Sequence, residues 1–329
     1  MNSSNDKNAL IIPSNFNLGY ACINMTLRNQ SRKEPVFMSR TLRLSTIEKK
    51  GIDYTKSLAI QNCKDLLTML KWNKEHNISF MRLSSEIFPF ATHLQYGYSI
   101  DFAKDYLKEA GDYAKEHGMR LTFHAPHFNV LSSPNENVVK NTFLDLNHHN
   151  EMMEMMGLDQ NSVIIIHGGG VYGNKQKALK RLEENISLLP QNTRNRLVLE
   201  NCEMSYCIED LLPISEKLQI PIVFDFHHDS IYPSDKPIEF YFERVFAVWF
   251  KRNIKPKVHV SNSVPGVTNS HSKTERRKHS DYIYFFHDSL LTITFDLDVM
   301  LECKMKEKAI FKLRELIANG NVSELNLIK

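Results

Sequence analysis

Six residues able to bind divalent metals stand, one each, at the end of a short apolar run: His124, His167, Glu200, Asp225, His259 and Glu302. Asn24 and Ser84 end two further runs, so all eight equivalent positions are polar. A single histidine there is ordinarily a hydrogen-bonded loop residue, and a single glutamate a solvated end. Six together are different, because crowded carboxylates repel unless cations stand among them. Imidazole and carboxylate without paired thiolates suit Zn²⁺, Mn²⁺ or Fe²⁺ in a working site rather than a structural zinc. His228, three residues after Asp225 in DFHHD, turns toward the same place, while His227 points away. Lys257 lies two residues before His259 and shares its face of a strand. Such a lysine is neutral, salt-bridged to Glu302, or carboxylated into an extra ligand. His279 and Asp281 in KHSDYI, and His93 in FATHLQY, sit on loops that reach the same place. His271 competes with His279. The pair His148 and His149 falls in a helical stretch and reads as surface.

Two loops add anion-binding chemistry. The glycine-rich stretch HGGGVYGNK, residues 167–175, can hold a phosphate on its backbone N–H groups and Lys175. It does not match a Walker loop. The densest basic run is KTERRKH, residues 273–279. Alone it is a solvated loop. Beside a metal mouth, Arg276 and Arg277 can grip a nucleic-acid backbone. Tyr20, Tyr96 and Phe128 lie near run ends and can stack on a base, with core packing as the competing use, above all for Phe128.

A ring of ligands needs a scaffold that gathers distant points of the chain. Eight runs rich in β-branched or aromatic residues recur at 18–24, 78–83, 120–123, 162–166, 196–200, 221–224, 257–260 and 298–302. The runs at 162–166 and 221–224 are apolar on both faces, as a covered parallel sheet requires. Helical stripes lie between them: Ala59, Cys63, Leu66 and Leu70; Ala103, Tyr106, Ala110 and Tyr113; Val139, Phe143, Leu146 and Met153, interrupted at Asn150; and Ile310, Leu313 and Ile317, closed by Gly320. Alternating strands and helices predict an α/β fold, a single (β/α)8 TIM barrel with the site at the C-terminal ends of its strands. A doubly wound open sheet is the alternative. Residues 1–16 read as a flexible tail and residues 17–329 as the barrel domain.

Composition narrows the class. Apolar residues make up 42% and charged residues 24%, enough for a large core and too apolar for global disorder. A net charge of +3 does not make a nucleic-acid binder without a local patch. The cysteines number five, with no CxxC pair, which speaks against a disulfide framework or zinc ribbon and for a reducing compartment. No apolar run reaches membrane-spanning length and no secretory leader is evident. The expectation is a cytoplasmic protein, nucleoid-associated in a prokaryote.

The ordered motifs LGYACIN, RLSSEIFPFATH, FHAPHFNVLSSP, IHGGGVYGNK, LVLEN, FDFHH, KVHVS, HSDYI and MLECKMKEKA resemble the UV damage endonuclease family, over nearly the whole chain. The resemblance implies a barrel related to endonuclease-four-type apurinic endonucleases. It implies up to three divalent metals, manganese favoured over zinc, magnesium or cobalt. It implies a nick immediately 5′ of a UV photoproduct, leaving a 3′-hydroxyl. Carried over by motif, the ligands are His124, His167, Glu200, Asp225, His228, His259, His279 and Glu302, with Glu200 bridging two metals and His93 a further candidate. Lys257 matches a lysine that can be modified at the cluster. Tyr20 and Asn24 match positions facing damaged DNA. One motif departs: the family reads HPxQ and then an aromatic, whereas this chain reads His124-Ala-Pro-His127-Phe128, with histidine as the lesion probe. The stretch 263–278 is longer than the family norm.

The expected function is therefore hydrolysis of UV-damaged double-stranded DNA, at cyclobutane dimers and 6-4 photoproducts, by a monomer with no protein partner and no membrane. The expected catalytic residues are Glu200, Lys257, His228 and His279. Tyr20, Asn24, His127, Phe128, Lys175, Arg276 and Arg277 are expected to meet DNA or the lesion. Alternatives are an apurinic-site endonuclease, a metal-dependent sugar isomerase or epimerase, and a damage sensor that keeps only the fold.

Overall fold

The computed structural model describes residues 13–318. Most of the expected tail, and Gly320, lie outside them. The strands are β1 (Phe16–Ala21), β2 (Phe80–Arg82), β3 (Arg120–His124), β4 (Ile164–His167), β5 (Leu197–Glu200), β6 (Ile222–Asp225), β7 (Lys257–Val260) and β8 (Leu297–Leu301). They pair in parallel in chain order and close as a barrel. The open-sheet alternative is excluded by the pairing of β1 with β8, from Phe16↔Leu297 to Tyr20↔Leu301. β1 starts within the stretch read as tail because the Asn15 carbonyl accepts from Leu297 N at 3.0 Å, continuing that ladder.

The helices are α1 (Met25–Gln30), α2 (Leu44–Glu75), α3 (Lys104–Glu116), α4 (Glu136–Met155), α5 (Lys175–Leu188), α6 (Gln191–Arg194), α7 (Ile208–Leu218), α8 (Phe226–Ile231), α9 (Phe242–Lys251), α10 (Lys273–Arg276), α11 (Asp288–Leu291) and α12 (Glu307–Ala318). The stripe Ala59, Cys63, Leu66 and Leu70 is the buried face of α2. On α4, Leu146 and Met153 are buried as the period requires. Asn150, which breaks that stripe, is buried too, and its Oδ1 accepts from Arg196 Nε at 2.9 Å. The Arg196 guanidinium also donates to the carbonyls of Leu158 at 2.6 Å and Ser162 at 3.1 Å, so a buried cation has its donors engaged. Among the described residues no helix is long and apolar enough to cross a membrane.

The reading of His148 and His149 as surface residues is overturned, because both are buried. His149 sits edge-on to Phe123 of β3, ring centroids 4.8 Å apart. Its Nδ1 lies 2.6 Å from the Asp145 carbonyl, while Nε2 has no partner. Helical spacing placed two polar rings in sequence, but four-residue back-bonding lets the second one enter the core.

Two stability predictions follow from this packing. A Cβ on Gly111 of α3 would sit 1.9 Å from the Met156 carbonyl oxygen, just past α4. Alanine is the better helix former by about 1 kcal/mol. Gly111→Ala is nevertheless expected to lower stability by about 1–3 kcal/mol, because the helices must part. A urea midpoint at or above wild type would show that this contact is soft. Burial pushes the His149 imidazole down to about 4 from its ordinary 6.5. The unfolded chain then takes this proton more readily, so stability falls as pH drops from about 6.5 toward 4, by roughly 3 kcal/mol. His149→Asn is expected to lose less stability between pH 7 and pH 4.5 than wild type, and equal losses would refute the assignment.

Candidate metal centre

The candidate ligands gather because each ends a strand of one barrel. His124, His167, Glu200 and Asp225 are the last residues of β3, β4, β5 and β6. The register sets His167 beside Glu200, and Asp225 beside His259 of β7. Glu302 follows β8. Asn201 fastens two of these ends together: its side chain accepts from Asp225 N at 2.8 Å and donates to Asp225 O at 2.9 Å. Asp225 Oδ1 in turn accepts from His228 N at 2.7 Å, capping α8. That turn brings the His228 ring back over the mouth, its Nδ1 2.9 Å from the Asn201 carbonyl.

Glu200 is the hub. Its Oε2 lies 2.7 Å from His124 Nε2 and 3.9 Å from His167 Nε2. Its Oε1 lies 3.0 Å from His259 Nδ1 and 3.3 Å from His228 Nδ1. Three sets of ligand atoms, each within 4.8 Å of one another, run side by side: His124, His167 and Glu200; Glu200, Asp225 and His228; Asp225, His259 and Glu302. Glu200 belongs to the first two and Asp225 to the last two. His279 lines the same cleft of about 400 Å³ but belongs to none of these sets. Its Nδ1 is 2.8 Å from Ser261 Oγ.

The charges are unequal. Burial alone would raise the Glu200 carboxyl, but His259, His167 and His124 outweigh it and hold the group well below the usual range. Burial raises the Asp225 carboxyl well above its ordinary value, and the neighbouring Glu200 and Glu302 push it the same way. Burial pushes the His167 imidazole far down. Asp225 Oδ2 and His167 Nδ1 are buried without a partner. A divalent cation would reverse the cost of ionising Asp225 and give its free oxygen a partner, so the donor set fits hard or borderline divalent metals.

Lys257 is fully buried, and burial holds its amine well below the usual lysine range. The salt bridge to Glu302 is not made: Lys257 Nζ donates to His259 Nε2 at 2.8 Å, and Glu302 pairs with Arg82. Arg82 and Glu203 also line the cleft, and the sequence reading named neither as a site residue. Arg82 sat inside the run 78–83, which was read only for its apolar strand character. Glu203 lay three residues past Glu200 on a loop without a recognisable spacing; its carboxylate is 3.7 Å from His228 Nε2 and pairs with Arg277.

Several expected site residues lie elsewhere. His93 is exposed on the loop after β2, its Nδ1 accepting from Gln95 N at 3.2 Å, and belongs to none of the ligand sets nor to the cleft lining. Tyr96 stands beside it, ring centroids 5.3 Å apart. Tyr20 is wholly buried, its hydroxyl donating to Asn73 Oδ1 at 2.9 Å, so no base can reach its ring. Asn24 is buried as the cap of α1, accepting from Leu27 N at 2.9 Å. The Lys175 ammonium pairs with Asp210 at 2.6 Å and Tyr232 at 3.0 Å and does not line the metal cleft. Arg276 turns away to the Ser230 carbonyl at 2.6 Å, whereas Arg277 and Lys278 line the cleft. His271 bonds Thr268 N at 3.1 Å within its own turn and does not compete with His279. His227 is buried but, as expected, lines neither the cleft nor any ligand set; its ring lies 5.3 Å from that of His279. His127 lines the cleft, 5.0 Å from the His167 ring. Phe128 is 70% exposed, so it is not a core residue.

The family profile described as UV-endonuclease UvdE matches residues 16–328. The UV-damage endonuclease of Schizosaccharomyces pombe is 39% identical over 92% of this chain and 51% of its own length. The UV DNA damage endonuclease of Bacillus thuringiensis subsp. konkukian is 34% identical over 94% of this chain and 96% of its own length. The chain thus spans about half the length of the fission yeast relative and nearly all of the bacterial one. The crystal structure of SacUVDE superposes with a TM-score of 0.79 at 27% identity, covering 93% of this chain and 99% of that one.

Adding Mn²⁺ to metal-stripped protein is expected to raise its melting temperature, by about 2.7 kcal/mol of stability at a hundredfold excess over the dissociation constant. Glu200→Gln, which keeps the shape and removes the hub charge, should abolish most of that rise. A variant that responds to Mn²⁺ like wild type would move the metal site elsewhere.

Proposed function

The chain belongs to the UV-endonuclease family, and we propose that it is a metal-dependent DNA repair endonuclease that hydrolyses the phosphodiester immediately 5′ of cyclobutane dimers and 6-4 photoproducts. The observation that supports this reading best is the row of three ligand sets joined through Glu200 and Asp225. Up to three divalent ions, manganese before zinc, magnesium or cobalt, would be held by His124, His167, Glu200, Asp225, His228, His259 and Glu302. Bound there, such ions supply Lewis acidity at a phosphodiester and hydroxide at neutral pH.

The protein's own groups do the rest. Glu200 holds His124 and His259 by hydrogen bonds and faces His167 and His228. Lys257, its amine held well below the usual lysine range by burial, orients His259 through Nε2; if carboxylated, it becomes a further ligand instead. His228 and His279 serve the leaving 3′-oxygen from the side of the cleft that carries Arg277. Arg277 and Lys278 meet backbone phosphates, so binding weakens with salt. His127 and Phe128 read the lesion, which is already unstacked and bent and so cheaper to extrude.

His127 in place of the family's glutamine favours one second reading, an apurinic-site endonuclease. Arg277 and Lys278 in the cleft speak against a sugar isomerase. With Mn²⁺, the protein is expected to nick UV-irradiated supercoiled plasmid and spare unirradiated plasmid. Chelation should stop nicking and Mn²⁺ restore it, and Glu200→Gln should slow it by at least about 100-fold. Equal nicking of both plasmids, or of neither, would sink the photoproduct reading; preference for an abasic oligonucleotide over a dimer would support the second.

A further inference from the structure

The glycine-rich loop after β4 has no part in the function described so far. Its glycines serve close packing. A Cβ on Gly168 would meet Tyr206 at 2.7 Å, and one on Gly169, at φ +89°, would meet Ser132 and Val130 at 2.5 Å. The Gly170 carbonyl accepts from the Tyr206 hydroxyl at 3.0 Å and from Ser132 Oγ at 3.2 Å. The loop is therefore clamped between the loops that follow β3 and β5. It then makes a tight turn, closed by Asn174 N to the Val171 carbonyl at 2.9 Å, with Asn174 capping α5.

At the tip of that turn stands Tyr172, with φ of +48°, followed by Gly173 at +73°. A bulky aromatic in the left-handed region is strained, and such strain persists where the surroundings impose it for a use. Asparagine or glycine would make this turn without cost. The tyrosine is also 49% exposed, so core packing does not account for it. The edge of its ring lies against Gly170, and the Arg181 guanidinium stands over the ring, 5.7 Å from its centroid. On the neighbouring loops Phe128 is 70% exposed and Met204 55% exposed. All three belong to loops leaving the C-terminal ends of β3, β4 and β5, the face that carries the metal centre.

We propose that Tyr172 is a stacking surface for a nucleobase of the bound DNA, outside the metal cleft and next along the rim from Phe128. An aromatic face with a guanidinium beside it matches the repeating chemistry of a nucleic-acid strand, base next to phosphate. The inference rests on the DNA-cleavage reading above. Tyr172 touches no reacting atom. It positions the strand, so its loss should appear in KM and not in kcat.

The test uses nicking of a duplex that carries one thymine dimer, with 2-aminopurine flanking the lesion. Tyr172→Ala and Tyr172→Gly are expected to raise KM by about 5- to 50-fold at unchanged kcat and to lose quenching of the 2-aminopurine. Tyr172→Phe should behave as wild type in both. Tyr172→Gly should melt at or above the wild-type temperature, because glycine takes the left-handed turn freely; a merely structural tyrosine would melt lower. Wild-type KM and quenching in Tyr172→Ala, or a Phe variant as impaired as Ala, would overturn the proposal. If wild type nicks the duplex and the alanine variant matches it, the stacking role alone falls. If wild type neither binds nor nicks it, the cleavage reading falls and takes this one with it.

Discussion

One buried carboxylate organises this protein. Glu200 sits without solvent at the end of a barrel strand and faces four imidazoles. A buried charge is costly unless surrounding groups compensate it. Here the compensation comes from β3, β4, β7 and α8, so the hub can be satisfied only when those elements are in place. The neighbouring Asp225 is the complementary case. It shares the cluster, keeps one oxygen free, and burial favours its neutral form. The same few side chains thus hold one group ionised and leave another in want of a cation.

The scaffold around that hub is built to fix angles. Asn201 spends its whole side chain on the backbone of Asp225, and Asp225 spends one oxygen on starting α8. Lys257 donates to His259. These contacts leave the imidazoles little freedom, as groups placed to hold a metal ion require. Away from the hub the mouth is looser in its chemistry. Arg277 reaches across it to Glu203, and the segment bearing Arg277 is stiffened by the reciprocal Ser272 and Glu275 cap.

The fold was legible because eight strands carry their own period and composition, and their ends were read to within a few residues. The ligands were legible because they sit at those ends. What escaped shows where local pattern stops. Tyr20 looked like a rim aromatic, yet its hydroxyl found Asn73 from α2, a partner far away in sequence. Lys175 looked free beside glycines, but Asp210 comes from α7 and Tyr232 from the end of α8. Arg82 was hidden in an apolar run because alternate residues of a barrel strand face its mouth. His149 looked exposed because its helix face is set by packing rather than by polarity.

Closure of β1 onto β8 has a consequence for the life of the chain during synthesis. Glu302, the last candidate ligand in sequence, arrives only after the eighth strand has been made. A nascent or prematurely terminated chain lacks the Glu302 member of the third ligand set and the β8 partner of β1. An unfinished chain therefore has neither the complete row of candidate ligands nor a closed barrel.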